Sequence, residues 1–386
     1  MIHDLEKIKE EIIEIRRHLH KNPELSFHEE KTPAFIYDYL KKLGNFDIRK
    51  NVGGRGVVAE LKGKNDGKTV ALRADFDALP IQDEKDVSYK SEIDGVMHAC
   101  GHDAHTASLL GVAKVLSQNT KKFDGKVRFI FQHAEEVSPG GAIAMIEDGC
   151  LDGVDAIFGN HMSSEKEVGI TLYGYGEIMA NADMFQIIIQ GKGGHGAYPH
   201  NSIDPIVLSA NIITNFQQIV SRRTSSIEPC VLSVCKINSG TASNIIPDTA
   251  EIAGTVRTYN KNVQDKIITE MEKIIKGICE SAGANYTFKY EKGYPAVINT
   301  KDETDLVKEV MNTLGFESEE MKPRMGGEDF SYYLQKVPGS FFYTGSGNKK
   351  KGITYPHHHP KFDVDENSII NAAKVLLTSA LEYLKK

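Results

Sequence analysis

Two hydrophobic periodicities alternate along the first half of this chain, and that alternation restricts its fold more than any other feature. Residues 55–61 (RGVVAEL), 68–75 (KTVALRAD), 126–132 (KVRFIFQ) and 154–161 (VDAIFGNH) are short runs rich in β-branched and aromatic residues, as strands require. Between them, TASLLGVAKVLSQN (106–119) and GGAIAMIEDG (140–149) repeat their apolar residues at helical spacing. Ahead of them, Ile8, Ile12, Ile13, Ile15 and Leu19 form a helical stripe, and TPAFIYDYLKKLG closes on Gly44, a C-cap residue. Strands alternating with helices predict an α/β domain with a mixed, largely parallel sheet flanked by helices. In such sheets ligands gather beyond the carboxyl ends of the strands.

From about residue 182 the pattern changes. DMFQIIIQG, PCVLSVCKIN, DTAEIAGTVRTY and NYTFKYEKG read as strands, and SIDPIVLSANIITNFQQIVSR and VQDKIITEMEKIIKGICESAG as long helices. The order is βαββαβ, a ferredoxin-like unit able to build a four-stranded sheet with both helices on one face. After residue 294 a helix (DLVKEVMNTLG), a strand (GSFFYTGSG) and a closing amphipathic helix (ENSIINAAKVLLTSALEYLKK) resume. The expectation is a discontinuous α/β domain, residues 1–181 and 294–386, interrupted by an inserted domain, residues 182–293.

The net charge of −7 and the lack of a basic patch argue against a nucleic-acid or anionic-membrane partner. No run approaches the roughly 18 apolar residues of a membrane span, and the N-terminus has no apolar signal core. The five cysteines, at 100, 150, 230, 235 and 279, are scattered without a CxxC, which suits reduced thiols and a cytoplasmic location.

Metal-affine side chains concentrate at five places, most of them at expected strand ends. These are Asp75 and Asp77 after KTVALRAD; HACGHDAH, residues 98–105, ahead of a helix; Glu135–Glu136; His161; and the run His357–His358–His359. Buried carboxylates and imidazoles cost free energy unless paired or metallated, so the concentration points to a metal site. Thiolate, imidazole and carboxylate together suit Zn²⁺, Mn²⁺, Co²⁺ or a similar ion. A hydrolase of this kind also needs a carboxylate to move protons between water and leaving group. Taken singly, each cluster has a plainer reading. Glu135–Glu136 reads equally as a solvated acidic pair, Cys100 as a nucleophile, Asp103 as a charge on a helix N-terminus, and His98 as a surface or pocket-wall residue.

Eight motifs then occur in order: RRHLHKNPELSFHEEKT, LRADFDALPI, MHACGHDAHTA, QHAEEVSPGGA, GNHM, GKGGHGAYPH, ASNIIPDTAEIAGTVRT and GGEDFSYY. Together they resemble peptidase family M20, most closely its amidohydrolase branch of aminoacylases, hippurate hydrolases and auxin-conjugate hydrolases. The resemblance implies a zinc-peptidase-like catalytic domain with an inserted lid and dimerisation domain. It implies a binuclear site of divalent transition ions, Mn²⁺ or Zn²⁺ first, with Co²⁺ or Ni²⁺ as alternatives. Cys100, His102, Glu136 and His161 match ligand positions, and Glu135 matches the general base and acid. The last ligand position precedes a proline by two, which selects His358 before Pro360. Asp77 matches a group that orients a ligand; Asp75 reads as such a group or as a partner of Arg73. In the inserted domain His195 matches an oxyanion donor, often supplied by a partner subunit, and Asn244 and Arg257 match binders of the substrate carboxylate or carbonyl. The implied reaction is hydrolysis of N-acyl-L-amino acids by a homodimer, or a tetramer, assembled through the lid. The alternatives are a dipeptidase and an N-acetyl-diaminopimelate deacetylase.

Overall fold

A computed structural model describes all residues, 1–386. Contacts divide the chain into two compact units: Met1–Ile178 with Val297–Lys322 and Asp329–Lys386, and Met179–Ala296 with Pro323–Glu328.

The first unit opens with helices α1 (Ile2–Lys7), α2 (Lys9–Lys21) and α3 (Lys31–Leu43). Gly44 ends α3 at φ 73°, a backbone angle that a side chain would strain. There follow β1 (Phe46–Val52), β2 (Gly56–Lys62), β3 (Thr69–Asp75), α4 (His102–Ser117), β4 (Lys126–Gln132), α5 (Ala142–Glu147), β5 (Ala156–Glu167), β6 (Ile170–Tyr173) and the short β7 (Gly176–Met179). After the second unit come β14 (Val297–Asn299), α8 (Lys301–Thr313), β15 (Glu317–Glu320), α9 (Phe330–Leu334), β16 (Gly339–Gly347) and α10 (Asn367–Leu384). Eight strands form one mixed sheet in the order β1-β2-β4-β3-β5-β16-β6-β15. Its centre is parallel: β4 with β3, β3 with β5 and β5 with β16. All seven residues of β3 are buried, as expected of a strand covered on both faces. Helix α4, between α2 and α10, is buried almost throughout and fills the main core with Leu109, Leu110, Val112 and Leu116.

The second unit holds β8 (Asn181–Gln190), β9 (Gly194–His195), α6 (Pro205–Gln218), β10 (Cys230–Ser239), β11 (Ile245–Ile246), β12 (Thr249–Thr258), α7 (Lys261–Ala282) and β13 (Asn285–Glu291). Four of its strands make an antiparallel sheet ordered β10-β12-β8-β13, the ferredoxin-like arrangement. β8 alternates strictly: Phe185, Ile187 and Ile189 enter a core with Ile267, Met271 and Ile275 of α7, while Met184 and Ile188 face outward.

Candidate metal centre

β4, β3 and β5 are parallel neighbours, so their carboxyl ends open on one side of the sheet. Asp75 closes β3, and Asp77 follows two residues on. The segment after β4 carries Glu135 and Glu136. His161 was expected at the end of its strand but lies inside β5, which runs on to Glu167. It still reaches the opening, because the pairing of β5 with β3 stops at Gly159. The helix expected after HACGHDAH instead begins within it, at His102. Gly101 takes φ 96° at this entry, and a Cβ there would stand 3.2 Å from Met162 Cβ. Glycine thus lets adjacent Cys100 and His102 both turn toward the opening.

The six residues expected at the centre lie together. Cys100 Sγ is 3.4 Å from His161 Nε2. His102 Nε2 is 3.9 Å from Glu135 Oε2 and 3.8 Å from Glu136 Oε1. His358 Nε2 is 3.4 Å from Glu136 Oε1. Cys100 belongs to two donor sets, one with His102 and His161 and one with Glu136 and His358, each with its ligand atoms within 4.8 Å of one another.

Backbone and carboxylate partners fix which nitrogen each imidazole presents. His102 Nδ1 donates to Asp77, at 3.0 Å to its carbonyl and 3.1 Å to Oδ1, and His161 Nδ1 donates to the Met162 carbonyl at 2.6 Å. Both Nε2 atoms are left facing the cluster, the usual arrangement around a metal-binding histidine. His102 Nε2 and Glu136 Oε1 are buried with no hydrogen-bond partner in the protein. Orphaned buried polar atoms are costly, and a cation at this point would satisfy both.

Electrostatics agrees. Burial opposes a charge on His102, yet Asp75, Asp77 and Glu136 hold its pKa well above the usual imidazole value. Burial and the carboxylates of Glu136, Glu135 and Asp75 hold the Cys100 thiol well above its ordinary range. Burial, with His105 and His357 beside it, holds the His161 pKa well below the usual imidazole value. The pocket therefore attracts positive charge, and its thiol needs a cation to ionise.

The neighbours divide cleanly. His105 spends both nitrogens within the protein, on Asp75 Oδ1 at 2.6 Å and on the Met162 amide at 2.8 Å. Asp75 pairs with Arg73 at 2.6 Å, one of the two roles considered for it, and its other oxygen accepts from His105. His357 Nε2 accepts from the Ser164 amide, and His359 stacks on Tyr355 and takes the Lys361 amide. His358, with its backbone at φ 64°, is the histidine of that run whose ring reaches Glu136.

One expectation needs correction: His98 is not at the surface but buried, neither ring nitrogen has a partner, and burial lowers its pKa to about 3. Asp103 does stand in the first turn of α4, and it is also buried, accepting from Arg16 at 2.7 Å and His20 at 2.6 Å. Arg16 also donates to Asp363 at 2.8 Å, joining α4 to the segment after His358. The sequence did carry a signal for this pair: Arg16 and His20 stand four apart on an otherwise apolar helix face. Glu29 was likewise missed.

In the second unit His195 and Asn244 come together. His195 pairs in register with Ile245, Gly196 N donates to the Asn244 carbonyl at 2.8 Å, and both side chains are exposed. Arg257 lies apart, on β12, where its Nη1 donates to the carbonyls of Asp183 and Val256 and to Thr255 Oγ1.

The description Peptidase family M20/M25/M40 matches residues 71–382. The chain belongs to this family. It is 48% identical over 295 residues to the N-acyl-L-amino acid amidohydrolase of Geobacillus stearothermophilus, covering 76% of this chain and 80% of that one. It is 44% identical over 386 residues to thermostable carboxypeptidase 2 of Saccharolobus solfataricus, covering 99% and 98%. Among solved structures, it superposes with TM-score 0.86 and 37% identity on YXEP of Bacillus subtilis, described as a dinuclear metal binding peptidase, covering 98% and 99%.

Proposed function

We propose that this chain is a metal-dependent amidohydrolase that cleaves the amide bond of N-acyl-L-amino acids. The observation that carries the reading is the buried donor cluster, in which His102 Nε2 and Glu136 Oε1 converge without partners beside a thiol shared by two donor sets. Cys100, His102, Glu136, His161 and His358 would hold two divalent transition ions. When bound, such ions acidify an attacking water and polarise the acyl carbonyl. Mn²⁺ and Zn²⁺ suit this mixed donor set best, and Co²⁺ or Ni²⁺ would also fit.

Glu135 acts as the general base and acid. It takes a proton from the water as that water attacks the acyl carbon, then passes the proton to the departing amine nitrogen as the C–N bond breaks. His195 donates to the oxyanion of the tetrahedral intermediate, from the lid of a partner protomer. Arg257 and Asn244 hold the amino acid's carboxylate. The lid unit, residues 182–293, pairs two protomers. Its sheet ends on strands β10 and β13, and the exposed Met184 and Ile188 leave apolar surface to cover. The five free cysteines suit a cytoplasmic enzyme, and no helix is long and apolar enough to cross a membrane.

The resemblance to a carboxypeptidase favours one second reading, since the same chemistry cleaves a peptide's terminal amide. One experiment tests both: wild type and Glu135→Gln, metal-loaded, against N-acetyl-methionine, hippurate, N-acetyl-diaminopimelate and dipeptides. The expected result is turnover of the N-acyl amino acids by wild type and almost none by the variant at equal metal content. Turnover of dipeptides alone selects the peptidase, and full activity in Glu135→Gln removes Glu135 from its role.

A further inference from the structure

The turn that delivers Glu135 is strained, and one carboxyl group outside the metal cluster holds it. Ala134, immediately after His133 and before Glu135, sits at φ 52°. An L-residue is strained in this left-handed region, and no glycine is used here. Ala134 is fully buried, so its amide also needs an acceptor. Glu29 supplies it: Oε1 accepts the Ala134 N–H at 2.8 Å.

Glu29 is itself fully buried and firmly placed. Its own carbonyl accepts from Arg55 Nη1 at 2.6 Å. The segment ahead of it is anchored at Glu24, whose carboxylate takes the amides of Glu30, Lys31 and Thr32 at the start of α3 and whose carbonyl takes the Ala78 amide. Phe27 of the same segment stands edge-on to His133, with ring centroids 6.0 Å apart. On the other side of Glu135, the Glu136 amide is fixed by Asp77 Oδ2 at 2.9 Å. Carboxyl groups from two separate segments thus bracket Glu135 by holding the amides before and after it.

We infer that Glu29 is a positioning residue for Glu135: its carboxyl oxygen holds the Ala134 amide and so maintains the left-handed turn that presents Glu135 to the reacting centre. This inference rests on the assignment of Glu135 as the proton-transfer group. Glu29 touches neither the donor cluster nor the substrate in this role. The contact needs an acceptor of the right reach, not a charge.

The test compares Glu29→Gln, which keeps both reach and acceptor, with Glu29→Asp, which keeps the carboxyl but withdraws it by one methylene. Two readouts are taken: amide hydrogen exchange of the 132–136 segment in metal-free protein, and kcat and KM of the metal-loaded enzyme with N-acetyl-methionine. Losing one hydrogen bond to a buried amide corresponds to about a tenfold effect. The expectation for Glu29→Asp is exchange about tenfold faster and kcat about tenfold lower, with KM and metal content unchanged. Glu29→Gln should stay within about threefold of wild type on each readout. Adding Ala134→Gly to Glu29→Asp should restore part of the kcat, because glycine holds the turn without strain. If Glu29→Asp leaves exchange unchanged, or if Glu29→Gln is the more damaging variant, the inference is overturned. The exchange readout does not depend on turnover, so failure of the Glu135 assignment alone would show as altered exchange with unaltered kcat. That second outcome overturns the catalytic part of the inference.

Discussion

Asp77→Asn is the substitution whose effect on the metal centre can be worked most closely. Asp77 is buried, with three donors on its two oxygens: His102 Nδ1 on Oδ1 at 3.1 Å, and Ser26 Oγ at 2.7 Å and the Glu136 amide at 2.9 Å on Oδ2. In asparagine one oxygen becomes an NH₂ donor. Placed at the Oδ2 position it would face the Glu136 N–H, which cannot reorient. Placed at Oδ1 it meets His102 Nδ1–H, which keeps the Asp77 carbonyl at 3.0 Å as its acceptor. The second arrangement costs less, and it removes the carboxylate contact that holds the His102 ring in place for the cluster. The loss of a charge-assisted hydrogen bond is worth about 1.5–3 kcal/mol. A missing partner to a ligand histidine generally lowers metal affinity about 10- to 100-fold, or about 1.4–2.7 kcal/mol, so the two magnitudes agree. The assay is chelator competition with Zn²⁺ and Mn²⁺ near neutral pH, with thermal melting of the metal-free forms as the check on folding. Ser26→Ala is the control: it leaves both the His102 and Glu136 contacts and should change affinity less than about threefold. If Asp77→Asn binds metal within threefold of wild type, the Asp77 carboxylate does not orient His102 for the metal.

Three further outcomes are expected. Burial and the nearby Asp77 charge push Glu29 from 4.5 up to about 8, so the folded protein binds this proton more tightly than the unfolded chain. That contribution is complete below the lower value and is lost as pH rises through the upper one, at up to about 1.4 kcal/mol per pH unit. In urea titrations of metal-free protein, the stability of Glu29→Gln relative to wild type should therefore grow across that window, and a pH-independent difference would refute it. His358→Ala should weaken metal binding in the chelator assay whereas His359→Ala should not, since His359 is engaged with Tyr355 and Lys361; the reverse order would misplace the ligand. Phe129 is fully buried in β4 and meets Phe46 edge-on at 5.7 Å, so Phe129→Ala should destabilise the first unit by about 3–5 kcal/mol in urea, and a cost near zero would contradict the core packing.

The sequence alone determined the fold class and where the metal-affine clusters lie along the chain. Period-two and period-3.6 patterns are local, so the strands of the mixed sheet and the βαββαβ order of the second unit could be read directly, as with the alternation along DMFQIIIQ. The metal-affine clusters stood out because such side chains break an otherwise apolar pattern, and the resemblance to family M20 picked Cys100, His102, Glu135, Glu136 and His161 out of them. Tertiary structure decided what depends on partners distant in sequence. Polarity pattern alone does not separate three adjacent histidines; the resemblance selected His358, and the structure, with a left-handed backbone there, brings that ring to Glu136. His98 looked like a surface or pocket-wall residue because its cover includes His20 of α2, far away in sequence, and Asp103 gave no sign of its partners Arg16 and His20 for the same reason. Glu29 lies 105 positions from the amide it holds, and no local periodicity encodes that pairing. A local pattern fixes which face of an element is buried. Which polar atom meets which is fixed only when separate elements pack, because a buried hydrogen bond is directional and hydrophobic burial is not.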